Sequence, residues 1–223
     1  MNLTKAIFND GFCQKLVDGA RMDGKDGIPT LMGYPIPDVP KSLVPFDKMR
    51  SCQDKKAYVH FYIHDRKYGE IFSNPDKYDS LLSQFEGLIT PDPTIIIGKS
   101  RCLHTISTYR NRAFGFYEQK KGRKVICNVR WGDPSTYDFC FLGVPKHSII
   151  AISTHGAIKK DKYTNNSLRN YFKRGLGECR NRLVPRDVIV YGRMPEDIFG
   201  PYKNWTHFHL YPSEFEKTHR RGI

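Results

Sequence analysis

The chain has 223 residues, with 36 Lys and Arg against 23 Asp and Glu for a formal net charge of +13, and with 39% hydrophobic and 13% aromatic residues. This composition fits a folded domain with its own hydrophobic core and excludes global disorder, collagen-like repeats and a disulfide-held miniature. The strong positive balance points toward an anionic partner.

Met1 to Asp10 lacks the uninterrupted apolar stretch of a signal peptide, and the run Thr94-Ile95-Ile96-Ile97 is far shorter than the roughly 20 residues of a membrane span. The expectation is a cytoplasmic protein without membrane contact. Residues 1–55 are punctuated by Pro29, Pro35, Pro37, Pro40 and Pro45, which remove backbone donors and disfavour helix interiors and central strands. They read as a Pro-rich N-terminal arm, with a short helix near Asp10 to Ala20, that packs in extended form through Leu31, Met32, Tyr34, Ile36, Leu43, Val44 and Phe46.

Residues 56–223 read as an α/β domain. Strand-like blocks rich in β-branched and aromatic residues fall at Ala57 to Ile63, Gly87 to Thr90, Lys124 to Val129, Ser148 to Ser153, Asp187 to Tyr191 and Thr206 to Tyr211. Helical blocks alternate with them. Lys77 to Phe85 and Cys102 to Lys120 come first; Asp133-Pro134 offers an N-cap followed by Pro at the first helical position. Leu168, Phe172, Leu176, Cys179 and Leu183 then recur at helical spacing, and Glu196 to Tyr202 is the last block. Alternating βα units of this kind specify a mainly parallel sheet, either a partial (β/α) barrel or an open doubly wound sheet. Val59, Phe61, Val125, Cys127, Ile149, Ala151, Val188 and Val190 are its expected core. Six cysteines without a Cys-x-x-Cys spacing read as buried free thiols.

Charge is concentrated. Residues 99–133 and 156–186 each hold nine basic residues against two acidic ones, so together they carry +14 and the remainder is near neutral. Arg110, Arg112, Lys120, Arg130, Trp131, Arg169, Lys173 and Arg174 are therefore the candidate nucleic-acid contacts. Solvated helix faces are the plainer alternative. In parallel α/β folds function collects beyond the carboxyl ends of the strands, where Asp65, Asp92, Asp133 and His155 are expected to lie. Such carboxylate and imidazole groups suit general acid–base work or a divalent metal, the one cofactor the sequence suggests, although loop capping explains Asp133 equally well. The pairs His60/His64 and His207/His209 each share a strand face, as zinc ligands or half-buried packing would. Gly98-Lys99-Ser100 lacks the upstream glycine of a phosphate-binding P-loop, Pro93 standing in its place.

The strings Tyr58-Val59-His60-Phe61-Tyr62-Ile63-His64-Asp65, Gly87-Leu88-Ile89-Thr90-Pro91-Asp92, Thr108-Tyr109-Arg110-Asn111-Arg112, Asn128-Val129-Arg130-Trp131-Gly132-Asp133 and Ala151-Ile152-Ser153-Thr154-His155-Gly156 occur in this order. With Val190-Tyr191-Gly192 they make residues 56–195 resemble domain-of-unknown-function family 4417, a family common in phages and bacterial mobile elements. The resemblance departs after Asp92, where this chain has Pro93-Thr94 and an isoleucine run. It implies a phage, prophage or plasmid setting and marks Asp65, Asp92, Arg110, Asn111, Arg112, Arg130, Trp131 and Asp133 as motif positions. Charge and setting together lead to a nucleic-acid-associated protein, a nuclease or replication accessory. The rivals are a small-molecule or nucleotide-processing enzyme with the same strand-end pocket, and a non-enzymatic protein that binds a host factor.

Overall fold

The computed structural model describes residues 12–33, 36, 38–158 and 167–216. A small antiparallel pair, β1 (Met22–Asp23) and β2 (Ile28–Pro29), precedes the main sheet. That sheet is built from β3 (Leu43–Pro45), β4 (Tyr58–His60), β5 (Gly87–Ile89), β6 (Lys124–Asn128), β7 (Ile149–Ser153), β8 (Asp187–Tyr191) and β9 (His207–Tyr211). All seven strands are parallel and lie in chain order, with Val44 opposite Val59 and Ile150 opposite Val188. The sheet curls into a half-barrel with helices between strands. A doubly wound sheet reverses its strand order at a switch point; here the order never reverses, so the partial barrel is the form adopted.

Side chains alternate across the strands and so divide between two cores. Val59, Phe61, Leu88, Val125, Cys127, Ile150, Ile152, Val188 and Val190 pack beneath Phe114 and Tyr117 of α2 (Arg101–Lys120) and Phe172, Leu176 and Cys179 of α3 (Ser167–Leu183). Tyr58, Tyr62, Ile89, Ile126, Ile149, Ala151, Ile189 and Tyr191 fill the opposite face, where Ile36, Val39 and Leu43 join them. All eight expected core residues are buried, shared between these two faces. The arm is tied to the half-barrel by the Arg186 guanidinium, which donates to the Ile36 carbonyl at 2.8 Å, and by the Tyr211 hydroxyl on the Pro40 carbonyl.

Several local expectations change. The arm supplies an edge strand, β3, which gives seven strands rather than six. The helix expected at Asp10 to Ala20 is a 3-10 turn over Gln14–Val17, with residues 10 and 11 outside the described ones. Asp133 does cap the segment that follows, accepting from Ser135 N at 2.9 Å, but only a 3-10 turn (Pro134–Thr136) forms. The Lys77 to Phe85 block shrinks to α1 (Asp79–Leu82) after a 3-10 turn, and α4 (Glu196–Phe199) is equally short. Cys127, Cys140 and Cys179 are buried and Cys102 is exposed; burial pushes all three buried thiols up, so they stay protonated. Among the described residues no helix is long and apolar enough to cross a membrane.

Candidate functional site

Residues just past the strands gather at the carboxyl edge of the half-barrel. At its centre Asp92, following β5, is 9% exposed and held from two sides. Arg130 Nη1 lies 2.7 Å from Oδ2 and Asn128 Nδ2 donates to Oδ1 at 2.8 Å. Tyr62 donates its hydroxyl to Asn128 Oδ1 at 3.1 Å and stacks on Tyr191 with ring centroids 4.7 Å apart. Burial drives the Tyr62 phenol well above its ordinary pKa, with Asp92 adding to the effect, so it remains a neutral donor.

A cleft extends from this centre in two parts. An apolar groove of about 180 Å³ runs between Ile95, Ile96, Ile97, Trp131, Leu168, Tyr171 and Phe172, with Arg130 at its floor. It adjoins a wider cavity of about 730 Å³ at Gly156, which lines both. The wider part lies at the ends of β7, β8 and β9, among His155, Arg169, Arg193, Asp197, Ser213, Phe215 and Glu216. Arg169 grips Asp197 with Nε and Nη2, while Arg193 Nε reaches Glu216 Oε1 at 3.0 Å. Burial raises the Glu216 pKa, but hydrogen bonds from Ser213 and Arg193 outweigh it and hold the carboxyl below its usual value.

The four candidate acid–base residues therefore part company. His155 lines the wide part of the cleft, whereas Asp92 lines neither part and borders only small cavities of about 10 Å³ beside Arg130. Asp65 accepts from Thr94 N and Oγ1, both at 3.0 Å, and from Tyr68 at 3.1 Å, which ties two loops together; Asp133 is a cap. Among the described residues no group of three or more His, Cys, Asp or Glu side chains is arranged to hold a metal ion. The His207/His209 pair flanks Asp187, with His209 Nε2 2.8 Å from Oδ1, on an edge strand.

The candidate nucleic-acid contacts divide as well. Arg112 is buried, at 1% exposure, and Trp131, 8% exposed, lines the apolar groove. Arg110 sits over the Phe72 ring, Lys120 pairs with Asp18, Arg130 with Asp92 and Arg169 with Asp197. Lys173 and Arg174, with the unanticipated Arg180, have no carboxylate partner among the described residues, and Arg174 and Arg180 are exposed.

Trp131 is fixed by a close approach that the sequence does signal. Gly175 and Gly177 lie inside α3, where each costs about 1 kcal/mol relative to Ala. A Cβ on Gly175 would lie 2.1 Å from Trp131 Nε1, and one on Gly177 2.9 Å from the Tyr202 hydroxyl. Gly175→Ala is expected to lower stability by about 1–3 kcal/mol through overpacking, and to shift tryptophan emission as Trp131 leaves the Phe141 and Phe172 rings. Thermal unfolding followed by fluorescence checks this; an unchanged midpoint and spectrum would place the indole elsewhere.

These features define an α/β half-barrel with a cleft at the carboxyl ends of its strands. The chain belongs to the family described as "Domain of unknown function (DUF4417)", which matches residues 20–218. It is 29% identical over 175 residues to the "Gene 1 protein" of Mycobacterium phage D29, covering 74% of this chain and 63% of the relative. It is 31% identical over 136 residues to the "Gene 1 protein" of Mycobacterium phage L5, covering 61% and 57%. The chain thus spans less than two thirds of the length of either phage relative. No solved structure matches it.

Proposed function

We propose that the chain is a nucleic-acid-associated protein of a phage or related mobile element, which holds backbone phosphates on the outward face of α3. The observation that carries this reading is a set of three cations on α3 with no carboxylate beside them among the described residues. In the first basic segment, Arg101 is bound to Asp138, Lys121 and Arg123 to Asp79, and Lys124 to Glu86, which offsets their charge locally. In the second, Arg169, Arg182 and Arg186 are likewise paired, with Asp197, Glu178 and Asp187, but Lys173, Arg174 and Arg180 have no such partner among the described residues. Cations without a carboxylate at hand are the ones that exchange counterions for phosphate. His155, which lines the wide part of the cleft, is the acid–base group there that a nuclease would use.

Binding of the full chain to mixed-sequence DNA and RNA across a salt series tests the reading. Replacing Lys173 and Arg174 together by Ala is expected to weaken binding at low salt and to reduce the salt slope by about two, one for each phosphate that is no longer neutralised. Absence of binding by the wild type, or an unchanged slope in a folded double variant, would sink it.

A further inference from the structure

We propose that the apolar groove between the isoleucine run at 95–97 and α3 takes one unpaired base of a single strand, with the Arg130 guanidinium donating to that base. The strand is the one whose phosphates lie on α3 in the reading above, on which this site depends.

Two close contacts set the width of the groove. A Cβ at Gly132 would lie 3.1 Å from Ile95 Cγ2 and 3.5 Å from Ile97 Cγ1, so the isoleucine run rests almost directly on the segment after β6. Ser107 Oγ donates to the Thr94 carbonyl at 3.0 Å, and His104 Nε2 lies 2.7 Å from the Ile96 carbonyl oxygen, which fastens the run to α2. Gly175 lets α3 close on Trp131, and Leu168 and Tyr171 form the facing wall. The space between is about 180 Å³. An apolar cavity of about 150 Å³ already holds a benzene ring, so the groove has room for one flat ring.

Arg130 selects the kind of ring. Its Nη1 is engaged by Asp92, which offsets its charge and makes it a poor anchor for phosphate. Nε and Nη2 have no acceptor among the described residues, and the side chain, 25% exposed, lines the groove. A hydrocarbon in the groove would leave these donors unserved, whereas the ring nitrogens and carbonyl oxygens of a base accept from them.

Charge at the rims indicates what the ring is attached to. Lys99, two residues past Ile97, and Arg174, one turn along α3 from Tyr171, are exposed and have no carboxylate partner among the described residues. A floor of offset charge between two cationic rims matches a neutral base flanked by the phosphates of its own strand. A paired base would first have to leave its duplex at a cost, which favours single strands. An acidic peptide with a central phenylalanine shares the charge pattern, but its ring offers Arg130 no acceptor.

The full chain would be titrated across a salt series with oligothymidylate, with an abasic strand of the same length, and with a peptide that places one phenylalanine between aspartates. The thymidylate is expected to bind about tenfold more tightly than the abasic strand at the same salt slope, because the base adds stacking and no charge. Ile96→Ser/Tyr171→Ala is expected to remove most of that ratio and to leave abasic binding unchanged. Circular dichroism checks the fold of this variant, and Ile96→Ser alone, at a side chain 53% exposed, is expected to lower the ratio about threefold. Lys173→Ala/Arg174→Ala is expected to shallow the slope for both strands and to keep the ratio. Equal affinity for the two strands overturns the base site, and a slope that still responds to the Lys173/Arg174 variant then leaves the α3 face standing. A ratio that survives the groove variants places the base elsewhere and overturns the site as well. Peptide binding that responds to the groove variants, with the two strands equal, gives the groove to a protein partner instead. Binding of neither strand removes the α3 face and the base site together.

Discussion

Replacing Arg112 by Leu is expected to destabilise the protein by about 3–5 kcal/mol, more than any other single change proposed for this chain, as for other buried charged groups whose network is broken. The guanidinium is 1% exposed and has a hydrogen-bond partner at each of its three nitrogens. Nε donates to the Leu142 carbonyl at 3.0 Å, Nη2 to the Cys140 carbonyl at 2.7 Å, and Nη1 to the Asn128 carbonyl at 3.0 Å and to Asn111 Oδ1. Three of these acceptors are backbone carbonyls, on β6 and on the segment after it, so one side chain of α2 pins two neighbouring parts of the chain. Leucine fills much of the volume but leaves buried acceptors unsatisfied, and each such group carries a desolvation penalty of about 1–3 kcal/mol. Lysine keeps a charge yet has no planar fork to serve acceptors on several sides, so Arg112→Lys is also expected to be destabilising. Urea denaturation followed by circular dichroism measures both; a loss below about 1 kcal/mol for the leucine variant would contradict the network described. The same geometry turns the Arg112 guanidinium, a candidate phosphate contact in the sequence, toward carbonyls of its own chain.

What was legible in the sequence follows the range of the forces involved. The apolar, β-branched blocks marked six of the seven main strands, and helical spacing found α2 and α3, because burial patterns repeat within a few residues. The strand β3 was hidden by Pro45, since Pro argues against a central strand. It is tolerated here because β3 lies at the sheet edge, with one side free of ladder bonds. Most misleading was the basic run of α2. Several of its cations are neutralised by acids far along the chain, Lys121 by Asp79, Lys120 by Asp18 and Arg101 by Asp26, and no local pattern reveals those pairings. The candidate site was half visible: Asp92, Arg130 and His155 stand at strand ends, as the fold requires. Phe215 and Glu216 come after the last strand and give no periodic signal, so their place in the cavity emerges only once β9 is parallel to β8.

Glu118 provides the second large effect, and it depends on pH. Its carboxyl is fully buried near the end of α2, with Arg123 Nη1 3.0 Å from Oε2. Burial raises its pKa to about 7; Arg123 and Lys121 oppose the rise, and the charges of Asp79 and Asp76 reinforce it. In the unfolded chain the group titrates near 4.5, so between these values the folded state binds the extra proton. Its contribution to stability is therefore fully present below about pH 4.5 and is lost as pH rises through 7. The interval of about 2.5 pH units corresponds to about 3 kcal/mol at 1.36 kcal/mol per unit. Glutamine imitates the protonated form and cannot ionise. Glu118→Gln is expected to match the wild type near pH 4.5 and to exceed its stability by about 3 kcal/mol at pH 8, measured as unfolding free energies in urea at both values. A difference that stays constant between the two pH values would mean that Arg123 holds Glu118 ionised throughout. A variant less stable at pH 8 than the wild type would reverse the sign and make the buried pair a net stabilising contact.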